Sequence, residues 1–330
     1  MEKTGAKIIL EGTTPNEILL GRTDGGVFVM SMAASPTNKE NRWTLEFSKA
    51  VHKAFDCIED TLAADPPGTP ASLLTISESE KFYSNGIDPA WNNKMAGTDE
   101  LAQWNDLTMT SFARPILLPI PTVTAINGHA FGAGMMHALG HDHRLQKKER
   151  GYQCAIEVQI GIKTPSPELT LFRHSMSASA FYETCVLGKR WSGDEAEKAG
   201  IVSKSLPGAE LLPEALKTAT QLAQLGKNRD TMRYYKMETK GFVAEEILNW
   251  EFANGKAKSV QKLPKGLQAH LDNLVNGKEK TTQRWAQRYS DFENAKEKRR
   301  LYSEALGRNR GYGSKLYLEM HRYNLHLASR

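Results

Sequence analysis

Two short apolar segments, each followed by a turn of small residues, constrain the fold of this chain most. Ser72–Ile76 and Thr122–Ile126 have the composition of buried strands, and the turns at 83–88 and 127–134 come after them. Each turn leads towards a helical pattern. Strands and helices that alternate in this way predict an α/β fold with largely parallel strands. Ligands of such folds bind at the carboxyl ends of strands, which is where these turns are expected.

Apolar spacing and turn residues predict the neighbouring elements. Predicted strands cover Lys7–Leu10, Glu17–Leu20 and Val27–Met32. Predicted helices cover residues 43–63 and 99–112, and the chain is predicted to be mainly helical from Leu211 onward. Asp24-Gly25 has the composition of a hairpin turn. Ser192-Gly-Asp-Glu195 matches a capping box, in which the serine and glutamate side chains bind free amides at a helix start.

The composition is ordinary for a globular protein. Apolar residues make up 40% of the 330 residues and charged residues 25%. No apolar run approaches the roughly 18 residues that span a membrane, so no transmembrane segment is expected. Cys57, Cys154 and Cys185 are far apart and odd in number, which predicts free thiols in a reducing compartment rather than a disulfide framework.

Both turns can bring bare backbone close to a ligand. Small residues leave N–H groups accessible, and two N–H groups aimed at one oxygen form an oxyanion hole. The alternative is a pair of ordinary turns with tight helix packing. The glycines of the second turn, Gly128, Gly132 and Gly134, do not have the spacing of a dinucleotide fingerprint, and no phosphate-loop lysine follows them.

These turns and three further segments resemble the enoyl-CoA hydratase/isomerase (crotonase) superfamily, and within it the Δ3-Δ2-enoyl-CoA isomerases. The segments that carry the resemblance are Lys81–Trp91, Thr122–Gly134, Ala138–Asp142, Glu157–Ile162 and Trp191–Val202. The resemblance implies a crotonase (ClpP/crotonase-like) spiral of ββα units with a C-terminal helical region. The expected divisions are a spiral core at 1–206, a helical oligomerisation region at 207–265 and a basic helical extension at 266–330.

The resemblance also implies roles for individual residues. Ile87 and Ala133 would donate their backbone N–H groups to a thioester oxygen, and Glu157 would be the catalytic carboxylate. Asp88 would fix the first turn. The implied substrate-binding residues are Ser84, Asn85, Gly86, Gly132 and Met136.

One carboxylate suits a double-bond shift. Glu157 can remove a proton from C2 of a 3-enoyl thioester and return it to C4, provided that an apolar pocket raises its pKa. Hydratases of the superfamily use a second glutamate, at the position that Met136 occupies here, so hydration is disfavoured. Dehalogenation, decarboxylation and thioester hydrolysis are further reactions of the fold. The main alternative is a non-catalytic crotonase-fold subunit of a large, for example mitochondrial, assembly.

The resemblance implies no metal and no separate cofactor, since coenzyme A is part of the substrate. His137 and His141, four apart on a predicted helix, could bind zinc, but the HExxH glutamate is missing. The implied assembly is a homo- or hetero-oligomeric trimer or hexamer. The last residues, Ala328-Ser329-Arg330, are not a peroxisomal address, so a mitochondrial location is expected, with peroxisome or cytoplasm as alternatives.

The C-terminal segment differs in charge from the rest of the chain. Residues 256–330 contain 17 Lys and Arg against 7 Asp and Glu. Two amphipathic stripes are predicted there, one beginning at Trp285 and one at Leu316. The open interpretations are a helical extension packed on the same protein, a docking arm for a protein partner, and binding of nucleic acid or an anionic membrane. No nucleic-acid motif supports the last of these, so no nucleic-acid partner is expected.

Overall fold

The computed structural model describes residues 2–10, 17–253, 265–270 and 272. The strands are β1 Lys7–Leu10, β2 Ile18–Arg22, β3 Val27–Met32, β4 Ser72–Ser77, β5 Phe82–Ser84, β6 Thr122–Ile126, β7 His129–Phe131, β8 His143–Lys147, β9 Gln153–Cys154 and β10 Lys204–Leu206. The helices are α1 Leu45–Ala64, α2 Pro89–Lys94, α3 Asp99–Ser111, α4 Arg114–Leu117, α5 Ala133–Gly140, α6 Ser166–Ser175, α7 Ala178–Cys185, α8 Gly193–Lys198, α9 Gly208–Ala223, α10 Arg229–Lys236 and α11 Phe242–Ala253. Short 3₁₀ segments lie at Glu2–Thr4 and Leu225–Lys227, and a π-helix at Met237–Gly241 joins α10 to α11.

Seven strands form the large sheet, in the order β1-β2-β3-β4-β6-β8-β10. β1, β2 and β3 pair antiparallel, whereas every pairing from β3 to β10 is parallel. The predicted mainly parallel α/β sheet is therefore confirmed. β3 is buried along its whole length, as expected for a strand covered on both faces.

A second sheet contains β5, β7 and β9, all parallel. β4, β6 and β8 in the large sheet are each followed by one of these three strands and then by helix. This succession is the predicted spiral of ββα units. Residues 129–131 were expected to be part of a turn, but they form β7. A three-residue strand is too short to give a periodic apolar pattern, and its neighbours in the sheet define it.

Helix α9 covers the large sheet. Its Leu211, Ala215 and Ala219 are buried in one cluster with Val29 and Leu74. The described residues up to 270 belong to one compact unit. α9 thus packs on the sheet, although residues from 207 onward were assigned to an oligomerisation region; that role stays a prediction.

Two lysines from the C-terminal helices reach into the core. Lys236 Nζ, at the end of α10, donates to the carbonyls of Pro115 and Ile120 and lies 2.7 Å from Asp142 Oδ2. Lys240 Nζ, in the π-helix, donates to the Leu139 carbonyl near the end of α5. Burial lowers the pKa of Lys240 to about 7. The Lys240 bond connects the C-terminal helices to α5, and the Lys236 bonds connect them to α4 and to the residues that follow α4 and α5.

Residues 265–270 are helical and contact the second half of α1. The backbone N–H groups of Lys265 and Gly266 donate to the two carboxylate oxygens of Asp56, at 3.0 and 3.1 Å. His270 lies 3.1 Å from Glu59, and Leu267 is fully buried. The start of the expected extension at 266 is therefore part of the compact unit. Both amphipathic stripes lie outside the described residues.

None of the helices in the described ranges is long and apolar enough to cross a membrane.

Candidate active site

The first turn joins β5 to α2. Gly86 has φ +73°, a conformation that favours glycine, and Ile87 follows it. Asp88 caps α2 by accepting hydrogen bonds from the N–H groups of Ala90 and Trp91, at 3.0 and 3.3 Å. Asp88 thus holds the start of the helix that follows the turn, with Oδ1 as the acceptor of both bonds.

Ser84 and Asn85, two of the predicted substrate-binding residues, use their side chains inside the protein. Ser84 is buried, and its hydroxyl donates to the Asn41 carbonyl at 2.7 Å. The Asn85 amide donates to Glu40 Oε2 at 2.9 Å. Contact of either residue with a ligand is therefore expected from the backbone, and the predicted role remains a prediction.

The second turn, predicted at 127–134, contains β7 and the start of α5, with Gly132 between them. Gly132 has φ +50° and ψ −117° and precedes Ala133, the first residue of α5. The Gly132 carbonyl accepts the first hydrogen bond of the helix, from Met136 N at 3.0 Å. Met136 is buried within α5, at 4% exposure. Ala133 thus presents its N–H at a helix start, where backbone amides are not used by the helix itself.

The two turns meet. A Cβ atom added to Gly86 would lie 2.7 Å from the Phe131 carbonyl oxygen and 3.7 Å from Ala133 N. One added to Gly134 would lie 2.5 Å from the Ser84 carbonyl oxygen. In the part of the chain that the structure describes, neither the Ile87 N–H nor the Ala133 N–H donates a hydrogen bond. The predicted pair of N–H groups is thus brought together on adjoining turns.

Glu157 lies beside the second turn. It follows β9 and begins a short turn in which its own carbonyl accepts from Ile162 N at 2.9 Å. A Cβ atom added to Gly132 would be only 2.7 Å from Glu157 Oε1, so the absence of a side chain at Gly132 makes room for the carboxylate. Glu157 Oε2 is buried and has no hydrogen-bond partner among the described residues.

The surroundings of this carboxylate are poor in polar partners. Burial raises the pKa of Glu157 above its ordinary value of 4.5, because the charged form loses hydration. Burial likewise raises the pKa of Cys154 to about 11 and that of Cys185 to about 12, and the Glu157 charge contributes to both shifts. Both thiols are therefore neutral near pH 7. Neither thiol therefore adds a negative charge beside Glu157 at that pH.

The histidines that raised the question of zinc are packed in the core. His141 Nε2 is 2.8 Å from Thr75 Oγ1, and its Nδ1 is 3.0 Å from the His137 carbonyl. Burial lowers the pKa of His137 to about 3. Within the described ranges, no group of three or more His, Cys, Asp or Glu side chains could hold a metal ion.

The sequence did not predict that residues 40–43 hold the first turn in place. Residues 40–43, just before α1, bind the first turn through backbone and side-chain hydrogen bonds. Asn41 there has φ +48°, a left-handed conformation that asparagine adopts more readily than most residues. This asparagine was the one available signal, and it carries no periodic pattern.

The ββα spiral, with two converging turns beside a half-buried carboxylate, defines a crotonase-fold protein. A sequence model described as enoyl-CoA hydratase/isomerase matches residues 23–288, and the chain belongs to this family. The fold is shared with a probable enoyl-CoA hydratase of Mycobacterium tuberculosis, with a TM-score of 0.62 at 20% identity. That match covers 79% of this chain and 98% of the mycobacterial chain.

Two curated relatives are more similar in sequence. The peroxisomal enoyl-CoA delta isomerase 2 of Arabidopsis thaliana is 35% identical over 44% of this chain and 63% of its own length. A probable mitochondrial enoyl-CoA hydratase of Dictyostelium discoideum is 31% identical over 46% of this chain and 53% of its own length. The matched regions thus span less than two thirds of either relative. The family supports an enzyme of the enoyl-CoA isomerase and hydratase kind.

Proposed function

We propose that this chain is a Δ3-Δ2-enoyl-CoA isomerase that works by a single-glutamate proton shuttle. The observation that carries the proposal is the half-buried Glu157 carboxylate beside Gly132. Its Oε2 atom is buried and unpaired among the described residues, and burial raises its pKa. A carboxylate whose pKa is raised holds an abstracted proton more readily, which suits it to taking up and returning a proton.

The proposed reaction begins with a 3-enoyl thioester whose carbonyl oxygen lies between the N–H groups of Ile87 and Ala133. Glu157 removes a proton from C2, and the electron pair of that C–H bond moves into a dienolate whose charge resides largely on the thioester oxygen. Protonated Glu157 then gives the proton to C4, and the double bond moves to C2–C3. Each N–H donor is expected to stabilise the transition state by about 3–4 kcal/mol.

Position 136 supports isomerisation over hydration. A hydratase of this family is expected to hold water between two carboxylates, whereas Met136 places a buried thioether at the second position. A thioether is at most a weak hydrogen-bond acceptor and does not act as a base. The relatives include both isomerases and hydratases, so an assay must compare the two reactions directly.

The proposed substrate is a fatty acyl-CoA, with coenzyme A carried by the substrate and no other cofactor required. A trimer or hexamer is the proposed assembly, and mass measurement in solution tests it. The compartment stays a prediction: mitochondrion was expected, and the names of the relatives include a peroxisomal and a mitochondrial protein. Fractionation of cells that express the chain with a tag inserted at an exposed loop would locate it.

The test is turnover of a trans-3-enoyl-CoA, followed by the absorbance of the conjugated 2-enoyl thioester, with hydration of a 2-enoyl-CoA measured alongside. Glu157→Gln keeps the shape of the side chain but removes the proton acceptor, so kcat should fall by about 10²–10⁴-fold. Glu214→Gln is the matched control, because Glu214 pairs with Lys204 at the surface and should leave kcat unchanged.

Isomerisation that is lost in Glu157→Gln and kept in Glu214→Gln would support the proposal. Turnover that persists in Glu157→Gln would reject Glu157 as the base. Hydration faster than isomerisation in the wild-type protein would reject the isomerase assignment. No turnover of either substrate would point to the non-catalytic subunit. The family relationship does not favour that alternative.

A further inference from the structure

The segment 40–43 follows the first turn almost residue by residue. The Glu40 carbonyl accepts from Asn85 N, and Trp43 N donates to the Gly86 carbonyl, both at 2.9 Å. Arg42, which lies between Glu40 and Trp43, donates from Nη1 to the Ile87 carbonyl at 2.7 Å. A segment before α1 thus binds each residue from 85 to 87, although more than 40 residues separate the partners along the chain.

These bonds set the direction of one N–H group. The Ile87 N–H and the Gly86 carbonyl belong to the same planar peptide unit and point in opposite directions. The bond from Trp43 N to the Gly86 carbonyl therefore turns the Ile87 N–H away from the 40–43 segment. The bond from Arg42 holds the carbonyl on the other side of Ile87. With both flanking peptide units held, Ile87 has little freedom to rotate its N–H.

Arg42 is itself held in place. Its Nε donates to Glu40 Oε2 at 2.7 Å, and the same oxygen accepts from the Asn85 amide at 2.9 Å. Its backbone N–H donates to Asn38 Oδ1 at 2.7 Å. The hydrogen bond from Asn85 lowers the pKa of Glu40, and the hydrogen bond and charge of Arg42 lower it further. This carboxylate therefore stays ionised near neutral pH. A guanidinium with one N–H on a carboxylate and another on a carbonyl has a defined orientation.

The side chain of Ile87 supports the same orientation from the other side. It packs on a cluster formed by Leu45, Trp104 and Leu107, which belong to α1 and α3. Trp104 Nε1 in turn donates to the Trp43 carbonyl at 2.6 Å. The donor residue is therefore fixed by its side chain and by both neighbouring peptide groups.

We infer that Arg42 is a positioning residue that aims the Ile87 N–H at the thioester oxygen through its bond to the Ile87 carbonyl. This inference rests on the proposed function. Arg42 would act through Ile87 and not by contact with the reacting atoms. Its removal leaves the Trp43 bond in place but frees one of the two peptide groups that flank the donor. The expected result is a loosened oxyanion hole in a folded protein.

Arg42→Met, which keeps an unbranched apolar side chain without N–H donors, is compared with Arg42→Lys and Arg22→Met. Arg22 binds both oxygens of Asp65, at 2.8 and 2.9 Å, and is the matched control for loss of a partly buried arginine elsewhere. Two readouts are needed: kcat and KM for a 3-enoyl-CoA, and the infrared carbonyl frequency of bound hexanoyl-CoA labelled at its thioester carbon. Unfolding temperature is recorded for every variant.

Arg42→Met should lower kcat by about tenfold with KM within about twofold, since a misdirected donor loses stabilisation that is specific to the transition state. The carbonyl frequency of bound hexanoyl-CoA should move back towards its value in water. Arg42→Lys should recover part of both effects, because one donor remains. Arg22→Met should leave kcat and the carbonyl frequency unchanged even if it unfolds at a lower temperature.

A wild-type carbonyl frequency in Arg42→Met would overturn the inference, as would an equal loss of kcat in Arg22→Met. A wild-type protein that shifts the carbonyl frequency but does not isomerise would reject the proposed function alone, and the Arg42 comparison would still decide the inference by the carbonyl readout. A wild-type protein that shows no carbonyl shift would overturn both.

Discussion

Replacing Gly132 with alanine tests the geometry of the site most directly. The added Cβ would lie 2.7 Å from Glu157 Oε1, where ordinary contact begins at 3.4 Å. The carboxylate oxygen must therefore move by about 0.7 Å, or the turn must open by the same distance. A misplacement of about 1 Å can cost 10²-fold in rate, so we expect kcat to fall by about tenfold to a hundredfold.

The same substitution also strains the backbone, and a control must remove that effect. Gly132 has φ +50°, so alanine should lower the free energy of unfolding by about 1–3 kcal/mol independently of Glu157. Gly200→Ala is the matched control: Gly200 has φ +73°, and a Cβ atom there would meet nothing within 4 Å. It should lose stability by a similar mechanism and keep its kcat.

The assay is isomerisation of a 3-enoyl-CoA at saturating substrate, at a temperature where urea titration shows both variants fully folded. Gly132→Ala should lose kcat, and Gly200→Ala should not. A Gly132→Ala enzyme with wild-type kcat would mean that the contact with Glu157 does not set the position of the base. Equal losses in the two variants would mean that strain, rather than displacement of the carboxylate, explains the effect.

Three further predictions concern stability. A raised pKa means that folded Glu157 holds its proton to higher pH than in the unfolded chain, so this group costs stability as pH rises above 4.5. Urea unfolding should show Glu157→Gln gaining stability relative to wild type as pH rises above 4.5. Lys240 has a pKa of about 7 in the folded chain against 10.5 in the unfolded chain, so the free energy of unfolding decreases as pH falls from 10.5 towards 7. Lys240→Met should therefore be stabilising by more at pH 6 than at pH 9.5. A difference from wild type that stays constant with pH would contradict the shift. A chain that ends at residue 264 should unfold at a lower temperature than one that ends at residue 272, because the shorter chain lacks buried Leu267 and the bonds to Asp56.

The sequence predicted those parts of the fold whose residues share one environment over several positions. β3 occurs at the predicted Val27–Met32, and α3 ends at Ser111 where residue 112 was expected. β3 is buried throughout, and α1 has a long apolar face, so both leave a pattern in the sequence. The three strands of the small sheet, of two or three residues each, leave none.

The candidate site divides in a similar way. The resemblance indicated Glu157, Ile87 and Ala133, and the structure brings their turns together, but their catalytic roles stay predictions. The bonds from the 40–43 segment could not be foreseen, since they join residues distant in sequence through backbone atoms that every residue carries. Ser84 and Asn85 were predicted to bind substrate from their place in a motif, and that role stays a prediction. The structure adds that their side chains bind Asn41 and Glu40.

A site that works through backbone N–H groups leaves side chains free to change, provided that the peptide units keep their direction. In the proposed site, Ile87 and Ala133 would donate through backbone atoms that any residue other than proline supplies, so the identity of their side chains would reflect packing. The direction of the Ile87 N–H instead depends on Gly86, which allows the turn, and on Arg42, which holds the next carbonyl. Rate differences among proteins with this fold should therefore follow the residues that orient the turns as much as the carboxylate itself. Arg42→Met and Gly132→Ala test these two influences separately, because Arg42→Met frees the Ile87 N–H and Gly132→Ala displaces the Glu157 carboxylate.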